Sequence, residues 1–556
     1  MFSVKKAAAV LLAAVMILGL ASCGKPAARS TPNNTYELAK DGEAIVSDVD
    51  TPNAGGAKQK AESDNARVFY EIFVGSFSDS DGDGTGDLRG IINRLDYLND
   101  GDAFSGKSLG VEGIWLTPIF TSSSYHKYNV DNYYEIDPKF GTMKDLEDLI
   151  KECHKRGIKL ILDMVINHTG KGNEWFRNFG LAHKTGDVND PYYDFYTYYR
   201  GGETAPAGRR FEKLLDLNEY YECNFDSAMP ELNYDNPAVR QAVLDIAKYY
   251  LDMGIDGFRF DAAKYVYFGE VDRNVEFWNW YVGELKKIKP EIYTVAEVWD
   301  SDSITDHYFE AVNCFDFSMS QANGLIADTA KAGDANRLTS YVEKYIRTVT
   351  TKNKDAMIVP FISNHDMDRA AGYLTPASFN MQFAANLYIL SPGSPFIYYG
   401  EEIGMRGSRG GANTDANRRL AMLWGDDDKV TDPEGTTYSK DSQIQSTVKE
   451  QLGQDDSMLT YYKKLLMIRA ANPEIANGEY KALKISGMKA GGFTSTLNGS
   501  SVCVIHNPSM SALTIDLSTV SGAESFKSIA AAIGQGGASM DGSKLTIDGH
   551  TSVVLR

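Results

Sequence analysis

The segment Ile255–Tyr265, IDGFRFDAAKY, is a short apolar run that carries polar side chains at its carboxyl end. Seven further apolar runs recur along the chain, and amphipathic segments separate several of them, which is typical of βαβ units in a parallel sheet. In 142–157, for example, Leu146, Leu149 and Ile150 recur at helical spacing. We predict strands at 67–74, 111–119, 158–165, 255–262, 292–298, 313–319, 357–363 and 395–400. Eight strands with helical crossovers predict an α/β fold, a (β/α)8 TIM barrel.

Two parts of the chain depart from this alternation. The interval 169–234 is rich in Tyr and Gly and is too long for an ordinary barrel loop, so we predict an inserted domain after strand 3. From 473 onward, short segments alternate as strands do and have turn residues between them, which predicts a C-terminal all-β domain, a β-sandwich, over 473–556. The barrel then comprises 65–168 and 235–472.

The first 64 residues are predicted to lie outside the barrel. Two lysines precede an apolar run, Ala7–Leu20, which is too short to span a bilayer comfortably and is typical of a signal peptide, 1–22. The ending Leu-Ala-Ser-Cys resembles a bacterial lipoprotein signal, which implies cleavage before Cys23 and a lipid on that cysteine. A plain transmembrane anchor is the alternative. Residues 23–64 are polar and rich in Pro and Gly, as in a flexible tether. We therefore expect a lipid-anchored protein at a bacterial cell surface or in the periplasm.

The overall charge and the cysteines exclude several other classes of protein. The formal net charge is −19 at pH 7 and no basic cluster stands out, which argues against a nucleic-acid partner. None of the four cysteines beyond Cys23 lies in a CxxC pair, so we predict neither a disulfide framework nor a zinc site. These four are Cys153, Cys223, Cys314 and Cys503. We expect a monomer whose cysteines pack in the core.

Three carboxylates follow three of the predicted strands, at the end of a barrel where active sites lie. Asp261, Glu297 and Asp366 end strands four, five and seven, so they would converge on one cavity. Singly, each would be explained as the cap of the following helix. Jointly, they match what cleavage of a glycosidic bond needs: one ionised carboxylate to attack the anomeric carbon and one protonated carboxyl group to protonate the leaving oxygen.

The neighbours of these carboxylates suggest separate roles. Arg259 stands two residues before Asp261 and therefore on the same face of the strand, where it is expected to lower the pKa of Asp261 and suit it as a nucleophile. Glu297, near apolar residues and another carboxylate, is expected to have the raised pKa of a general acid. Asp366 remains as an electrostatic partner.

A further acidic stretch, Ser76–Gly90, SFSDSDGDGTGDLRG, follows the first predicted strand. Its four aspartates and one backbone carbonyl could bind a hard cation, and the candidate ligands are Asp79, Asp81, Asp83, Thr85 and Asp87. An EF-hand loop that began at Asp79 would need a Glu at its twelfth position, where this chain has Gly90. A calcium switch is thereby excluded, which leaves a structural calcium site or a plain acidic turn.

The strand-end motifs resemble those of the α-amylase family of retaining glycoside hydrolases. Four motifs, at 163–168, 257–265, 296–299 and 363–366, occur in the order of that family, and GVEGIWLTP (110–118), MPELN (229–233) and GSPFIYYGEEIG (393–404) agree as well. The resemblance covers about 66–425 and is weaker to the end of the chain.

The resemblance implies a role for each matching residue. It implies Asp261 as nucleophile, Glu297 as acid/base and Asp366 as stabiliser of the transition state. Further residues are implied or are candidates by position: sugar contacts from His126, Tyr128, His168, Arg259, Lys264, Trp299 and His365, and support of the site from Asp163 and Asn167. It also implies that the acidic loop binds calcium, which would fix the first βα-loop without entering the chemistry.

The departures from the family pattern narrow the activity. Lys264-Tyr265 stands where many amylases have Lys-His, and Asn129 stands where many exo-acting relatives have an Asp that holds the non-reducing end. In the resemblance, Ala directly after the nucleophile, here Ala262, is typical of enzymes that act on α-1,4 linkages. MPELN resembles the segment of a group intermediate between amylases and oligo-1,6-glucosidases. We therefore expect endo-acting hydrolysis of α-1,4-glucosidic bonds in starch and maltooligosaccharides. The alternatives are an exo-type oligosaccharide α-glucosidase or 4-α-glucanotransferase, and a non-catalytic surface glycan-binding protein.

Overall fold

A computed structural model of the chain describes residues 66–331, 333–375 and 378–556, together with two short strands, Tyr36–Leu38 and Ala44–Val46, that pair antiparallel. The predicted signal peptide, Cys23 and the rest of the predicted tether lie outside the described residues. Within the described chain, no helix is both long enough and apolar enough to cross a membrane. The four cysteines predicted to pack in the core are buried and unbridged.

Seven of the eight predicted barrel strands form one parallel sheet. In spatial order, these strands are Asn313–Cys314, Tyr293–Ala296, Gly257–Phe260, Lys159–Met164, Gly113–Leu116, Phe69–Ile72 and Phe396–Tyr398. Below, they are called barrel strands by their place in the chain, from strand 1 (Phe69–Ile72) to strand 8 (Phe396–Tyr398). Most of their side chains are buried, as expected when helices cover the outside of a parallel sheet.

The seventh predicted strand, 357–363, closes the barrel through single bridges instead of a regular ladder. Val359 pairs in parallel with Phe315, and Phe361 pairs in parallel with Phe396. The amide of Asp316 donates to the carbonyl of Val359 (3.1 Å), which ties this segment to the chain that follows strand 6. The predicted (β/α)8 class is therefore confirmed, although the regular part of strand 6 is shorter than the predicted 313–319.

The helix predicted at 142–157 is observed as Met143–Lys155. Thr142 begins it with a capping box shared with Asp145, and the buried face consists of Leu146, Leu149, Ile150 and Cys153. The other helices of the described chain are Leu88–Asn93, Leu95–Leu98, Glu174–Thr185, Pro237–Met253, Val271–Ile288, Asp302–Tyr308, Leu325–Ala330, Ala335–Lys352, Ala370–Tyr373, Ser378–Ile389, Val448–Gln451, Met458–Ala471 and Pro473–Asn477. Short 3₁₀ turns lie at Val74–Ser76, Glu401–Ile403, Asp415–Arg418, Lys440–Ser442 and Leu517–Thr519.

The long interval after strand 3 has its own secondary structure. It begins with the helix Glu174–Thr185 and continues as a small antiparallel sheet in which Glu219–Glu222 pairs with Tyr198–Arg200 on one side and Phe211–Lys213 on the other. A separate antiparallel pair, Phe120–Ser122 with Val130–Ile136, occupies the loop after strand 2. Both excursions leave the barrel at the carboxyl ends of its strands, so they line the same opening.

The C-terminal part of the chain contains two antiparallel sheets. The first has the order Glu479–Leu483, Gly491–Leu497, Ser500–Asn507, Thr551–Leu555 and Ile529–Gly534, and the second has the order Leu513–Asp516, Lys544–Ile547 and Ala538–Asp541. Leu483, Ile505, Leu545 and Val553 belong to one core cluster between them. This all-β module matches the predicted C-terminal domain in class.

The segment Ile255–Tyr265 shows how the barrel positions polar side chains. Gly254 ends the preceding helix at a φ of 117°, and Gly257 lies so close to strand 5 that a Cβ there would be 1.8 Å from the carbonyl oxygen of Tyr293. Because side chains alternate along a strand, Phe258 and Phe260 pack among the helices, whereas Arg259 points into the barrel. Asp261 then follows at the mouth of the barrel.

Candidate active site

The carboxyl ends of the barrel strands open into one cleft of about 1030 Å³. The three carboxylates predicted for catalysis, Asp261, Glu297 and Asp366, line this cleft together. The predicted sugar-contact residues that also line it are His126, Tyr128, His168, Lys264 and Trp299. Thus residues from strands 4, 5 and 7, which are up to 105 positions apart in the chain, share one cavity.

A single buried guanidinium connects the carboxylates of strands 3, 4 and 5. Nη1 of Arg259 donates to Oδ1 of Asp163 (2.8 Å) and to Oδ1 of Asp261 (2.6 Å), and Nη2 donates to Oε2 of Glu297 (2.8 Å). Arg259 and Asp163 are register partners of neighbouring parallel strands, so the sheet itself sets this arrangement. Arg259 is almost wholly buried, and these ion pairs therefore act in a medium of low polarity.

Two of the three carboxyl groups bound by Arg259, those of Glu297 and Asp261, are the ones predicted for catalysis, and both have raised pKa values. Burial raises the pKa of Glu297 to about 7, partly offset by Arg259, which agrees with the prediction for a general acid. Burial also raises the pKa of Asp261, to about 6. The prediction that Arg259 would hold the pKa of Asp261 below its usual range is therefore wrong in its net direction: the guanidinium does lower it, but desolvation in the cleft is the larger effect.

Asp366 belongs to a second ionic chain that also reaches the cleft. Its Oδ2 lies 2.9 Å from Nε2 of His365, and its Oδ1 accepts from Nη2 of Arg419 (2.7 Å). Burial alone would raise the pKa of Asp366, but His365 and Arg419 outweigh it and hold that pKa well below its usual range. Asp366 is therefore a permanent negative charge beside the other two carboxylates.

Glu71 completes this second chain from inside strand 1. Its Oε1 accepts from Nδ1 of His365 (2.5 Å), so His365 lies between two carboxylates, those of Glu71 and Asp366. Burial lowers the pKa of His365, yet the two carboxylates raise it to about 10 overall. The imidazole is thus an imidazolium at neutral pH.

Tyr128 joins the two chains at the floor of the cleft. Its hydroxyl donates to Oδ2 of Asp163 (2.9 Å) and lies 2.7 Å from Nε2 of His365, while its ring stacks on that imidazole with centroids 5.3 Å apart. The described side chains thereby form one network from Arg259 to Arg419. A sugar ring above this floor would meet fixed donors and acceptors.

His126, His168 and Asn167 surround Tyr128. Nε2 of His168 lies 3.1 Å from the carbonyl oxygen of Tyr128, and burial lowers the pKa of His168 to about 4. Burial likewise lowers the pKa of His126 to about 3, so both imidazoles are neutral. Nδ2 of Asn167 lies 3.3 Å from Nδ1 of His168, while its Oδ1 is buried with no hydrogen-bond partner among the described residues. The structure therefore places Asn167 behind His168 instead of in the cleft.

Residues 262 and 264 shape the cleft beside the acid/base candidate. Ala262 has a φ of 49°, which a residue with a side chain rarely adopts, and its amide donates to Oε2 of Glu297 (3.1 Å). Nζ of Lys264 donates to the carbonyl of Trp299 (2.7 Å) and to Oδ2 of Asp300 (2.9 Å). Lys264 thus fixes the wall that carries the half-exposed ring of Trp299.

The side chain of Asn129 is directed into its own loop. Its Oδ1 accepts from the hydroxyls of Ser122 (3.0 Å) and Ser124, and its Nδ2 donates to the hydroxyl of Ser123 (2.7 Å). Asn129 is buried and is not among the residues that line the cleft. Its polar atoms are therefore engaged away from any sugar in the cleft.

The acidic loop after strand 1 brings three of its four aspartates together. Carboxylate oxygens of Asp79, Asp81 and Asp87 lie within 4.8 Å of one another, and such a set of hard oxygens fits a cation such as Ca²⁺. Asp83 is outside this group and accepts instead from the amide of Thr85 (2.7 Å). Oδ1 of Asp87 also accepts from the amide of Gly90 (2.7 Å), so Asp87 begins the helix Leu88–Asn93.

Several residues of the cleft escaped sequence reasoning. Glu71 and Arg419 hold His365 and Asp366, Phe225 adds an aromatic face next to His168, and Gln321 lines the opposite wall. For Glu71, a signal was present, because a carboxylate in the buried strand FYEI needs a partner. Nothing in the loop sequences around the other three pointed to the cleft.

Comparison with known proteins agrees with this geometry. Residues 71–478 match the family model of the α-amylase catalytic domain. α-Amylase 3 of Dictyoglomus thermophilum is 35% identical over 447 residues, which cover 79% of this chain and 84% of that protein. The 4-α-glucanotransferase of Thermotoga maritima is 33% identical over 358 residues, covering 63% of this chain and 74% of that protein. The solved structure of Eubacterium rectale Amy13B matches with a TM-score of 0.81 at 32% identity and covers 88% of this chain and 95% of that one.

Proposed function

The chain belongs to the α-amylase family of enzymes, and we propose that it hydrolyses α-1,4-glucosidic bonds within starch and maltooligosaccharides, with retention of configuration. The observation that carries this proposal is the meeting of Asp261, Glu297 and Asp366 in one cleft, where burial raises the pKa values of Asp261 and Glu297 and neighbouring cations lower that of Asp366. Between pH 6 and pH 7, the pKa values of about 6 for Asp261 and about 7 for Glu297 provide an ionised and a protonated carboxyl group side by side.

In the proposed reaction, the ionised Asp261 attacks the anomeric carbon while Glu297 gives its proton to the leaving glycosidic oxygen. A covalent glucosyl–Asp261 ester results, and the Glu297 carboxylate then takes a proton from the water that hydrolyses it. Retention needs carboxyl groups about 5–5.5 Å apart. The binding of both groups by adjacent nitrogens of Arg259 supports such a short separation. Asp366, held ionised, would stabilise the positive charge of the transition state.

Two features support action within a chain instead of at its end. The cleft has a volume of about 1030 Å³, which is large enough to hold more than a single sugar. Asn129 offers no carboxylate to hold a non-reducing end, and its amide is already bound by serine side chains.

Product lengths over time test this proposal. The chain without its predicted signal peptide, residues 1–22, is incubated with starch and with maltooligosaccharides of defined length, and the products are separated by size. Oligomers of intermediate length at early times support endo-acting hydrolysis. Glucose alone from the first time point would contradict it and favour an exo-type α-glucosidase. Absence of turnover would favour a glycan-binding protein without catalysis.

A 4-α-glucanotransferase is the second candidate, favoured by the similarity to the Thermotoga maritima enzyme of that name. A sugar hydroxyl would then intercept the covalent intermediate in place of water. Products longer than the input oligosaccharide would identify this activity in the same assay, and an accompanying release of reducing ends would measure the share of hydrolysis.

We further propose that the acidic loop holds a structural calcium ion through Asp79, Asp81 and Asp87. The loop lies next to strand 1 at the mouth of the barrel, and its carboxylates are oxygen ligands of the kind that calcium prefers. A cation there would fix the first βα-loop without touching the reacting sugar. Asp83 and Thr85, predicted as further ligands, would require the loop to close around the ion.

The proposed location is a bacterial membrane surface, with the enzyme attached through a lipid on Cys23. The Leu-Ala-Ser-Cys sequence supports this proposal. Expression of the full chain and of Cys23→Ser, followed by membrane fractionation and mass spectrometry, tests it. Release of Cys23→Ser from the membrane and a diacylglyceryl mass on the parent are expected; equal membrane association of both proteins without a lipid mass would contradict it.

A further inference from the structure

A second groove of about 700 Å³ lies beside the catalytic cleft, between the loop after strand 6 and the helix Ala335–Lys352. Phe317, Ser318 and Gln321 form the loop side, and Arg337, Tyr341 and Lys344 form the helix side. Its volume is within the range of small-molecule sites in proteins. It is called the branch groove below.

The branch groove adjoins the cleft. Gln321 lines both cavities, and Phe317, which lines the groove, stacks on Trp299 of the cleft with ring centroids 5.0 Å apart and an interplanar angle of 14°. Trp299 follows the acid/base candidate Glu297 by two residues. Through Trp299, the groove therefore adjoins the wall of the cleft that follows Glu297, the group that would protonate the leaving part of the substrate.

Gln321 has an unusual backbone at this junction. Its φ is 72°, a left-handed conformation that residues other than Gly, Asn and Asp seldom adopt and that has a cost in free energy. Its side-chain amide makes no hydrogen bond to the part of the chain that the structure describes. A strained residue with an unengaged amide between two cavities points to a role in binding, because strain of this kind persists where function requires it.

The lining of the groove fits a neutral, hydroxyl-rich ligand. Its uncharged polar groups are hydroxyls and amides, and its charged groups are the cations of Arg337 and Lys344 and the carboxylate of Asp302. The two cations are free to donate: Arg337 is no closer than 3.8 Å to Asp328, and Lys344 has no ion pair within 4 Å among the described residues. Phe317 and Tyr341 add apolar faces of the kind on which sugar rings pack.

We propose that the branch groove binds the continuation of an α-glucan chain beyond the leaving group, and that Gln321 guides the chain from the cleft into the groove. This inference rests on the proposed function, because the occupant is the substrate of the same reaction. It makes the enzyme prefer long chains over short ones, since only a long chain reaches both cavities. Gln321 is a positioning residue and takes no part in the bond-breaking step.

Chain-length dependence tests the proposal. We compare kcat/KM for maltotriose and maltoheptaose in the parent and in the double variant Arg337→Ala/Lys344→Ala. In the double variant, kcat/KM for maltoheptaose should fall about tenfold, because one or two hydrogen bonds from charged donors are removed. The kcat/KM for maltotriose should keep the parent value. Arg347→Ala is the matched control: it removes an exposed arginine from the same helix, outside the groove, and is expected to change neither value.

Gln321→Gly separates a positioning role from a structural one. Glycine removes the side chain and relieves the left-handed strain, so the thermal midpoint is expected to stay or to rise while the preference for maltoheptaose disappears. Gln321→Asn, which keeps an amide and tolerates a positive φ, is expected to restore part of the preference. A lower midpoint with an unchanged preference would overturn the positioning role.

Direct binding keeps the groove testable if hydrolysis itself fails. Calorimetric titration of Glu297→Gln with each oligosaccharide is repeated with the groove substitutions added. A Kd for maltoheptaose about tenfold higher, with an unchanged Kd for maltotriose, supports the groove even in an enzyme that does not hydrolyse starch. Equal changes for both ligands, or none, would overturn the groove while leaving the proposed hydrolysis standing.

Discussion

The catalytic cleft and the loop 79–87 each bring three carboxylates together, and they neutralise them in different ways. In the cleft, Asp163, Asp261 and Glu297 share the buried guanidinium of Arg259, which a different strand supplies to two of them. In the loop, the carboxylate of Asp79 accepts from the amides of Asp81, Gly82 and Gly84, all within five residues.

The difference follows from what surrounds each carboxylate. The cleft carboxylates lie around a guanidinium that only the fold brings to them, and their desolvation calls for a full positive charge nearby. In the loop, Asp81 is exposed whereas Asp79 and Asp87 are largely buried, and backbone amides of the loop itself donate to both of the latter. We therefore expect changes in the cleft to have large effects on activity and stability, and changes in the loop to have small ones.

The largest effect is expected from removing one charge in the cleft. Asp261→Asn abolishes the nucleophile and should lower kcat by more than about 10⁴-fold, as for the loss of other covalent nucleophiles. Steady-state hydrolysis of maltoheptaose measures it. The matched change in the loop, Asp81→Asn, should leave kcat unchanged, and substantial turnover by Asp261→Asn would remove that residue from the role of nucleophile.

Loss of the buried guanidinium should have the second-largest effect. Arg259→Met leaves three buried carboxylates without a counter-charge and is expected to lower the free energy of unfolding by ~3–5 kcal/mol at pH 8. At pH 5, the loss should be smaller, because Asp261 and Glu297, with pKa values of about 6 and about 7 in the parent, are then largely protonated. Thermal unfolding at both pH values measures this difference.

An exposed arginine is the control for that experiment. Arg89 binds Asp145 and Asp148 at the surface, so Arg89→Met should lower the free energy of unfolding by no more than ~1 kcal/mol. A loss for Arg259→Met as small as that for Arg89→Met would mean that burial does not strengthen the cluster.

The activity of the cleft should depend on pH in a bell-shaped manner. Asp261 must be ionised, so the rate falls below about pH 6, and Glu297 must be protonated, so the rate falls above about pH 7. Because the two groups interact, these limits belong to the pair. Each limb should approach about a tenfold change per pH unit in kcat/KM. Thermal midpoints over the same range show whether unfolding contributes, and a flat profile from pH 5 to pH 9 would contradict the assignment.

The smallest effect is expected in the loop. If it binds calcium, chelation should lower the thermal midpoint by a few degrees, which corresponds to ~1–2 kcal/mol, and should leave kcat nearly unchanged at a temperature well below the transition. The double variant Asp79→Asn/Asp81→Asn should have the thermal midpoint of the chelated parent, whether or not chelator is present. An identical midpoint of the parent in calcium and in chelator would mean that the loop is a plain acidic turn.

Sequence patterns predicted most of the barrel because its signal is local. All eight strand segments were recognised as apolar runs, and the helical spacing of Leu146, Leu149 and Ile150 predicted the helix observed as Met143–Lys155. The regular part of strand 6 is shorter than predicted, and the strand-7 segment pairs only through single bridges, because pairing depends on the neighbouring strands and not on the apolar run alone.

The candidate site was harder to predict than the fold. Strand-end motifs pointed to Asp261, Glu297 and Asp366, but nothing local indicated that Glu71 would bind His365 across the barrel or that Arg419 would bind Asp366. The pKa shift predicted for Asp261 had the wrong sign. The spacing between Arg259 and Asp261 was visible in the sequence, whereas the extent of desolvation was not.

By itself, the sequence determined the alternation of strands and helices, the residue types at the strand ends and the turn-forming order of the acidic loop. Each of these depends on neighbours within a few residues, through side-chain periodicity and backbone hydrogen bonds. Only the tertiary structure decided which carboxylates share Arg259, how far desolvation raises the pKa of Glu297 and that Gln321 lines two cavities. Charge pairing, desolvation and cavity shape depend on residues far apart in the chain, and these meet only when the barrel closes.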